Sequence, residues 1–178
     1  TGEVSCFPMT VRFLLALAAA LTLTSCTHAT SPKNIILIIG DGMGPAHFTA
    51  ARLLRGDESR FSTMPIAGMV TTHSADSIVT DSGAAATAMA TGLKANNRTV
   101  GITPAGNASE SVLEAAEKTG RSTGLVTTAP FWDATPGAFA AHVGSRYEAN
   151  KIMRQMLQSG IELIVGGDAR RSRPLQKL

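Results

Sequence analysis

Asn-Ile-Ile-Leu-Ile-Ile-Gly-Asp-Gly-Met-Gly, residues 34–44, carries the strongest fold signal in the chain. Its first six residues form a continuous, largely β-branched apolar run, which predicts a strand buried on both faces of a sheet. Glycines at the carboxyl end of such a strand let the backbone approach a ligand closely. Asp41 offers a carboxylate that suits a divalent cation. An ordinary turn is the alternative for this loop, whereas a dinucleotide fingerprint is disfavoured because Pro45 stands where that motif needs glycine.

The rest of the chain alternates between helical and strand-like patterns. We expect helices over 45–55, 82–91, from a capping box at Ser111 to Gly120, from an N-cap at Thr135, and over 147–158. Strand-like runs cover 67–73, 123–128 and 161–165. This alternation predicts an α/β fold in which crossover helices connect the strands of a parallel sheet.

Composition narrows the class of protein. The 178 residues include 44% hydrophobic and 16% charged residues, which excludes an intrinsically disordered chain and suits one domain. Cys6 and Cys26 both precede the predicted body, so no cysteine zinc site lies within it. The net charge of +3 comes from a basic tail at 169–178 on a near-neutral body, and we expect no nucleic-acid partner.

The N-terminal region has the pattern of an export signal. Arg12 is followed by an apolar run over 13–23, and Leu-Thr-Ser-Cys at 23–26 resembles a lipoprotein cleavage box. We therefore expect an export segment over 1–26, a linker over 27–33 and a periplasmic location, with membrane attachment through a lipidated Cys26. A plain secretory signal and a buried helix are the alternatives. No stretch reaches the roughly 18 apolar residues of a spanning helix.

Two further segments could carry chemistry. Ser82, in Thr-Asp-Ser-Gly-Ala-Ala-Ala-Thr-Ala at 80–88, lies at the predicted start of a helix, where unpaired amides and the helix dipole favour phosphate. Asp133 and Thr135 offer oxygen atoms at another helix start, and Arg146 could hold two phosphate oxygens. Helix caps and a surface arginine are the alternative reading of both segments.

Together, residues 34–44, 80–92 and 133–146 resemble the alkaline phosphatase family in order and spacing. The resemblance implies a three-layer αβα sandwich, present only in part over 34–168. It also implies hydrolysis of phosphate monoesters through a phosphoserine on Ser82, with Arg146 holding the phosphoryl oxygens. The implied cofactors are two zinc ions and one magnesium ion, and the implied metal residues are Asp41, Asp133 and Thr135.

The sequence also departs from that family. The Asp-x-x-x-His and Asp-His pairs that supply most of the family's metal ligands do not occur here, and the tail at 169–178 does not resemble the family. We therefore expect an N-terminal portion of an alkaline phosphatase, inactive as given, with a homodimer left open for the complete enzyme. The alternatives are a sulfatase-like or phosphodiesterase-like relative and a non-catalytic lipoprotein fragment that binds phosphate or a metal ion.

Overall fold

The computed structural model describes residues 33–55 and 60–167. They divide into two units, the first ending at Ile39 and the second starting at Gly40. The helices and strands are α1 (Pro45–Arg55), a 3₁₀ turn (Arg60–Thr63), α2 (Ser82–Thr91), α3 (Val112–Lys118), β1 (Gly124–Pro130), α4 (Ala134–Gly137), α5 (Ala149–Gln158) and β2 (Leu163–Gly167). The predicted export segment and the basic tail lie outside the described residues.

β1 and β2 form a parallel pair. Gly124 pairs with Leu163 and Val126 with Val165, and the register shifts before Pro130 meets Gly167. The connection between the strands runs through α4 and α5, as a parallel crossover requires. The predicted α/β class with a parallel sheet is confirmed, and the chain covers part of such a fold.

Local signals set the helix boundaries. The Asp81 carboxylate caps α2 by accepting a hydrogen bond from the Ala84 amide, and Gly92 ends the helix with a left-handed φ of 76°. Ser111 and Glu114 form the predicted reciprocal capping box at α3. The predicted bounds 45–55 and 82–91 are confirmed.

The core is built mainly from alanines and a few larger side chains. Ile152, Met153 and Met156, predicted to face inward from α5, are all buried. Gly137 in α4 allows the close approach of α5, because a Cβ at this position would lie 2.9 Å from Ile152 Cγ2. The other buried members of this cluster are Ala86, Val100, Trp132, Ala134, Ala138, Ala140, Ala141 and Val143.

Two strand predictions are wrong. Residues 34–39 and 67–73 form no strand, and Ile35 and Met69 are exposed at 86% and 103%. A strand exists only where a neighbouring strand pairs with its backbone, and the sheet in the described residues consists of β1 and β2. Within residues 33–55 and 60–167, no helix is both long enough and apolar enough to span a bilayer.

Candidate active site

The Asp41 carboxylate joins two hydroxyl groups that are distant in sequence. Asp41 lies in the turn that follows residues 34–39, where Met43 donates a backbone hydrogen bond to Gly40 and Gly42 has a φ of 67°. Ser82 Oγ donates to Asp41 Oδ1 at 3.3 Å, and Thr135 Oγ1 donates to Oδ2 at 2.7 Å. Each oxygen of one carboxylate therefore faces a different helix start.

Ser82 is the first residue of α2, directly after the cap residue Asp81. Its hydroxyl thus lies at the positive end of the helix dipole. Gly83 is required at the next position, because a Cβ there would lie 2.5 Å from the Thr99 backbone oxygen. The helix start is therefore packed tightly against the 99–100 segment, which limits how far Ser82 can move.

Arg146 connects the same two helix starts from another side. Its Nη1 donates to Asp81 Oδ2 and its Nη2 to Asp133 Oδ1, both at 3.1 Å. The Arg146 backbone amide donates to the Arg98 oxygen at 2.7 Å, so the residue is held at both ends. Its side chain keeps 21% exposure, and three of the five guanidinium N–H donors remain for a ligand.

The structure brings all five predicted residues together. Asp41, Ser82 and Thr135 share hydrogen bonds, while Asp133 and Arg146 form an ion pair beside them. One detail of the prediction is wrong, because Thr135 is not the N-cap of its helix. Asp133 is the cap and accepts from the Ala134 amide at 2.7 Å, while the Thr135 hydroxyl donates to Asp41 instead.

From the sequence, a helix cap was one of two readings of the 80–88 segment, which contains Asp81, and Asn97 was assigned no role. Asn97 Oδ1 accepts from the Asp81 amide, and its Nδ2 donates to the Val79 oxygen, so the side chain fastens the segment that precedes Ser82. The Arg98 amide donates to Asp81 Oδ2. The Asp81 cap pattern was visible in the sequence, but no sequence signal pointed to Asn97.

The ion pairs alter the acidity of the residues around Arg146. Partial burial opposes ionisation of Asp81, but hydrogen bonds from the Ala84 and Arg98 amides and from Arg146 outweigh it and lower its pKa. Partial burial likewise opposes the charge of Arg146, but Asp81 and Asp133 more than compensate and raise its pKa. Asp81 and Arg146 are thus held as a charged pair.

The donor atoms of the site fit a hard cation better than zinc. Asp41 and Thr135 place a carboxylate and a hydroxyl side by side, and Mg²⁺ binds oxygen ligands of this kind. Zinc sites rely mainly on histidine nitrogen and cysteine sulfur. Between 33–55 and 60–167, no group of three or more His, Cys, Asp or Glu side chains could hold a metal ion.

His142 belongs to a separate, structural network. Its Nε2 lies 2.7 Å from Glu114 Oε1 and its Nδ1 lies 2.6 Å from the Gly101 oxygen. Its backbone amide donates to Gln155 Oε1. These contacts tie α3, the 101 loop and α5 together.

A hydroxyl at a helix start, a guanidinium and paired oxygen donors converge on a parallel α/β frame. The chemistry of these groups suits a tetrahedral oxyanion and a hard cation. The family model described as alkaline phosphatase matches residues 32–174. The chain belongs to the alkaline phosphatase family.

Curated relatives agree with this assignment. The repressible alkaline phosphatase of Saccharomyces cerevisiae is 36% identical over 168 residues, which cover 86% of this chain and 29% of the yeast protein. Alkaline phosphatase 3 of Bacillus subtilis is 41% identical over 128 residues, covering 67% of this chain and 28% of that protein. The chain therefore spans less than a third of the length of these two relatives.

Solved structures give the same family. Alkaline phosphatase from the Antarctic bacterium TAB5 superimposes with a TM-score of 0.72 at 31% identity, covering 75% of this chain and 39% of the TAB5 chain. A variant of the TAB5 enzyme in which glutamate replaces a histidine was solved with Mg bound in the M3 site, and it gives a TM-score of 0.74 at 32% identity. It covers 76% of this chain and 39% of its own.

Proposed function

We propose that this chain carries the nucleophile and the phosphate-binding residues of a metal-dependent phosphomonoesterase. The observation that carries the proposal is the Asp41 carboxylate, which accepts hydrogen bonds from both the Ser82 and the Thr135 hydroxyls while Arg146 flanks the same two helix starts. Membership of the alkaline phosphatase family supports it and favours a phosphate monoester over the sulfatase-like alternative.

The residues have separate roles in this proposal. Ser82 Oγ attacks the phosphorus of the monoester, and the bond to the leaving alcohol oxygen breaks, which gives a phosphoserine that water then hydrolyses. Asp41 Oδ1 accepts a hydrogen bond from the Ser82 hydroxyl in the resting site and is positioned to take its proton as Oγ attacks. The remaining N–H donors of Arg146 and the start of α2 stabilise negative charge on the phosphoryl oxygens.

The proposed metal-binding roles rest on the oxygen donor atoms of the site residues. Asp41 and Thr135 would hold Mg²⁺, with Asp133 beside them, and the TAB5 variant with bound Mg supports a magnesium role in the family. A cation held there would supply charge stabilisation and lower the pKa of a coordinated hydroxyl. The family resemblance also implies two zinc ions. Zinc has no role in the steps proposed for these residues, because Asp41, Thr135 and Asp133 all offer oxygen donors and zinc sites rely mainly on nitrogen and sulfur.

The charge balance makes phosphate binding depend on a cation. Asp41, Asp81 and Asp133 contribute three carboxylates against the single guanidinium of Arg146, an excess of two negative charges. A phosphate dianion would be repelled by this excess, and a bound divalent cation removes the repulsion. We expect phosphate affinity to rise at least about tenfold when Mg²⁺ is added.

The test is titration calorimetry of the full 178-residue chain with inorganic phosphate, with and without Mg²⁺. We expect Arg146→Ala to lose about tenfold or more in affinity, because hydrogen bonds to a charged group are lost. Ser122→Ala, at an exposed position just before β1, should bind like the wild type. Circular dichroism checks that each variant is folded. Absence of Mg²⁺-dependent phosphate binding in the wild type would overturn the proposal, and Mg²⁺ binding without phosphate binding would favour the non-catalytic alternative.

We further propose that this chain alone does not hydrolyse p-nitrophenyl phosphate. The support is the small set of metal ligands among the described residues and the share of its relatives that the chain spans. Turnover that disappears in Ser82→Ala would contradict this inactivity while supporting Ser82 as the nucleophile. Turnover that survives in Ser82→Ala would contradict the nucleophile assignment.

Export to the periplasm and lipidation of Cys26 are proposed on the sequence pattern of residues 1–26. Mass spectrometry of the mature N-terminus after expression in a bacterium tests both. A diacylglyceryl group on Cys26, lost in Cys26→Ala, is the expected result. Cleavage at another position without a lipid would support the plain secretory alternative.

A further inference from the structure

We propose that Arg98 is a specificity-determining residue that favours phosphate monoesters whose leaving group carries a second negative charge, such as a carboxylate. The inference rests on the proposed phosphate site and extends it to the class of substrate. Three observations lead to it: the backbone conformation of Arg98, its contacts with two site residues, and the state of its guanidinium.

Arg98 has an unfavourable backbone conformation. Its φ is 68°, and in the part of the chain that the structure describes it is the single residue other than glycine with a positive φ. It lies in the turn closed by the hydrogen bond from the Thr99 amide to the Asn96 oxygen at 3.3 Å, at the position where glycine is favoured. Folding stability alone would therefore favour glycine over arginine here.

The backbone of Arg98 contacts two residues of the site. Its amide donates to Asp81 Oδ2 at 3.0 Å, and its oxygen accepts from the Arg146 amide at 2.7 Å. Asp81 in turn holds the Arg146 guanidinium. The Arg98 backbone is therefore joined by hydrogen bonds to both Asp81 and Arg146, the residues that flank the start of α2, and its side chain begins beside them.

The Arg98 guanidinium is available for a ligand. The residue is exposed, and its side chain makes no hydrogen bond or ion pair with residues 33–55 and 60–167. Arg146, in contrast, already donates to two carboxylates. In this proposal Arg146 binds the phosphoryl group, and Arg98 binds a negative charge carried by the leaving group.

The test compares three phosphate monoesters of similar size by titration calorimetry of the full chain in Mg²⁺: ethyl phosphate, phosphoglycolate and phosphoethanolamine. Phosphoglycolate adds a carboxylate and phosphoethanolamine adds an ammonium group. We expect the wild type to bind phosphoglycolate about two- to fivefold more tightly than ethyl phosphate, and phosphoethanolamine more weakly. The preference should shrink as the salt concentration rises.

Arg98→Gly is the decisive variant, because it keeps both backbone hydrogen bonds and relieves the left-handed strain. We expect it to unfold at the same or a higher temperature, to bind ethyl phosphate within about twofold of the wild type, and to lose the preference for phosphoglycolate. Arg98→Lys should retain the preference, since it keeps the charge.

Two results would overturn the inference while leaving the proposed function intact. One is a phosphoglycolate preference that persists in Arg98→Gly. The other is an equal loss of affinity for all three esters, which would mean that Arg98 acts on the phosphate itself. If the wild type binds none of the esters, the proposed phosphate site is wrong and the inference falls with it.

Discussion

The buried Thr87 side chain stabilises the first turn of α2, which carries Ser82, through two hydrogen bonds. It is buried, its hydroxyl donates to the Gly83 oxygen at 2.8 Å, and the same hydroxyl accepts from the Gly101 amide at 2.9 Å. Gly101 itself has a φ of 63°, and a Cβ there would lie 2.0 Å from the Ala141 oxygen. The first turn of α2, which carries Ser82, is thus fastened to a loop that tolerates little change.

Two replacements of Thr87 distinguish the contribution of its hydrogen bonds to stability from that of its packing. Thr87→Val keeps the shape but leaves the Gly101 amide without its partner, which should cost about 1–3 kcal/mol in the free energy of unfolding. Thr87→Ser keeps the hydroxyl and loses one methyl group, at about 1 kcal/mol. Chemical denaturation should therefore find valine the more damaging of the two, and the reverse order would mean that packing dominates here.

The Asp81–Arg146 pair gives the chain a defined acid sensitivity. Since the pKa of Asp81 is lowered in the folded state, the pair stabilises the fold fully above the ordinary aspartate pKa of 3.8 and loses that contribution as the pH falls through the folded value. Asp81→Asn should cost about 1–2 kcal/mol at neutral pH, and the difference from the wild type should narrow below about pH 4.

Unfolding free energies from about pH 7 to pH 3 measure this difference. Glu110→Gln, at an exposed carboxylate that pairs with Lys118, controls for the general effect of removing one negative charge. A gap between Asp81→Asn and the wild type that stays constant over this range would exclude Asp81 as the source of the acid sensitivity.

The site residues differ in how much of their role the sequence could reveal. Ser82, Asp133, Thr135 and Arg146 belong to short motifs, and Asp41 belongs to a glycine loop, so all five could be selected before the structure was known. Asn97 and Arg98 act through a backbone turn and through hydrogen bonds to residues 16 or more positions away. Nothing in the local pattern encodes such contacts.

Helices were predicted well because their signals are local. Caps, a capping box and a terminal glycine fixed the bounds of α2 and of the start of α3 to the residue. The runs over 34–39 and 67–73 have strand-like composition but no strand structure, because a strand depends on a partner that composition cannot specify. A helix was predicted near α4, but its N-cap was assigned to Thr135, two residues after the actual cap Asp133.

Among these elements, α5 should contribute strongly to stability through one face. Ile152 is fully buried against Gly137, while Leu157 on the same helix is 55% exposed. Ile152→Ala should therefore cost about 2–5 kcal/mol in the free energy of unfolding, through lost transfer energy and the cavity left behind. Leu157→Ala should change it by less than about 0.5 kcal/mol.

Denaturant titration followed by circular dichroism distinguishes these two variants. Alanine is the better helix former in both cases and the gain is larger for isoleucine than for leucine, so helix propensity cannot explain a greater loss of stability in Ile152→Ala. Equal destabilisation by the two substitutions would mean that α5 does not pack on the core as described.

Across the whole molecule, the described residues leave large apolar side chains exposed. The segment 64–70 contains Ile66, Met69 and Val70 at 85%, 103% and 83% exposure, and Met64 at 57%. Four exposed apolar side chains within seven residues of sequence favour a contact site, whereas exposed apolar residues scattered singly do not. The chain also spans less than a third of the two curated relatives described above, which is consistent with incomplete burial.

We therefore expect the chain to self-associate through segment 64–70. Sedimentation velocity over a range of protein concentrations should show larger species. Replacing Ile66, Met69 and Val70 together by serine should weaken this association about tenfold or more, because each of these side chains contributes about 1.5–3 kcal/mol when buried. Leu157→Ser, at an isolated exposed position, should leave it unchanged. A wild-type chain that stays monomeric at every concentration would mean that segment 64–70 does not drive contact between copies. Equal effects of the triple and the single variant would mean that the association depends on total exposed apolar surface and not on this segment.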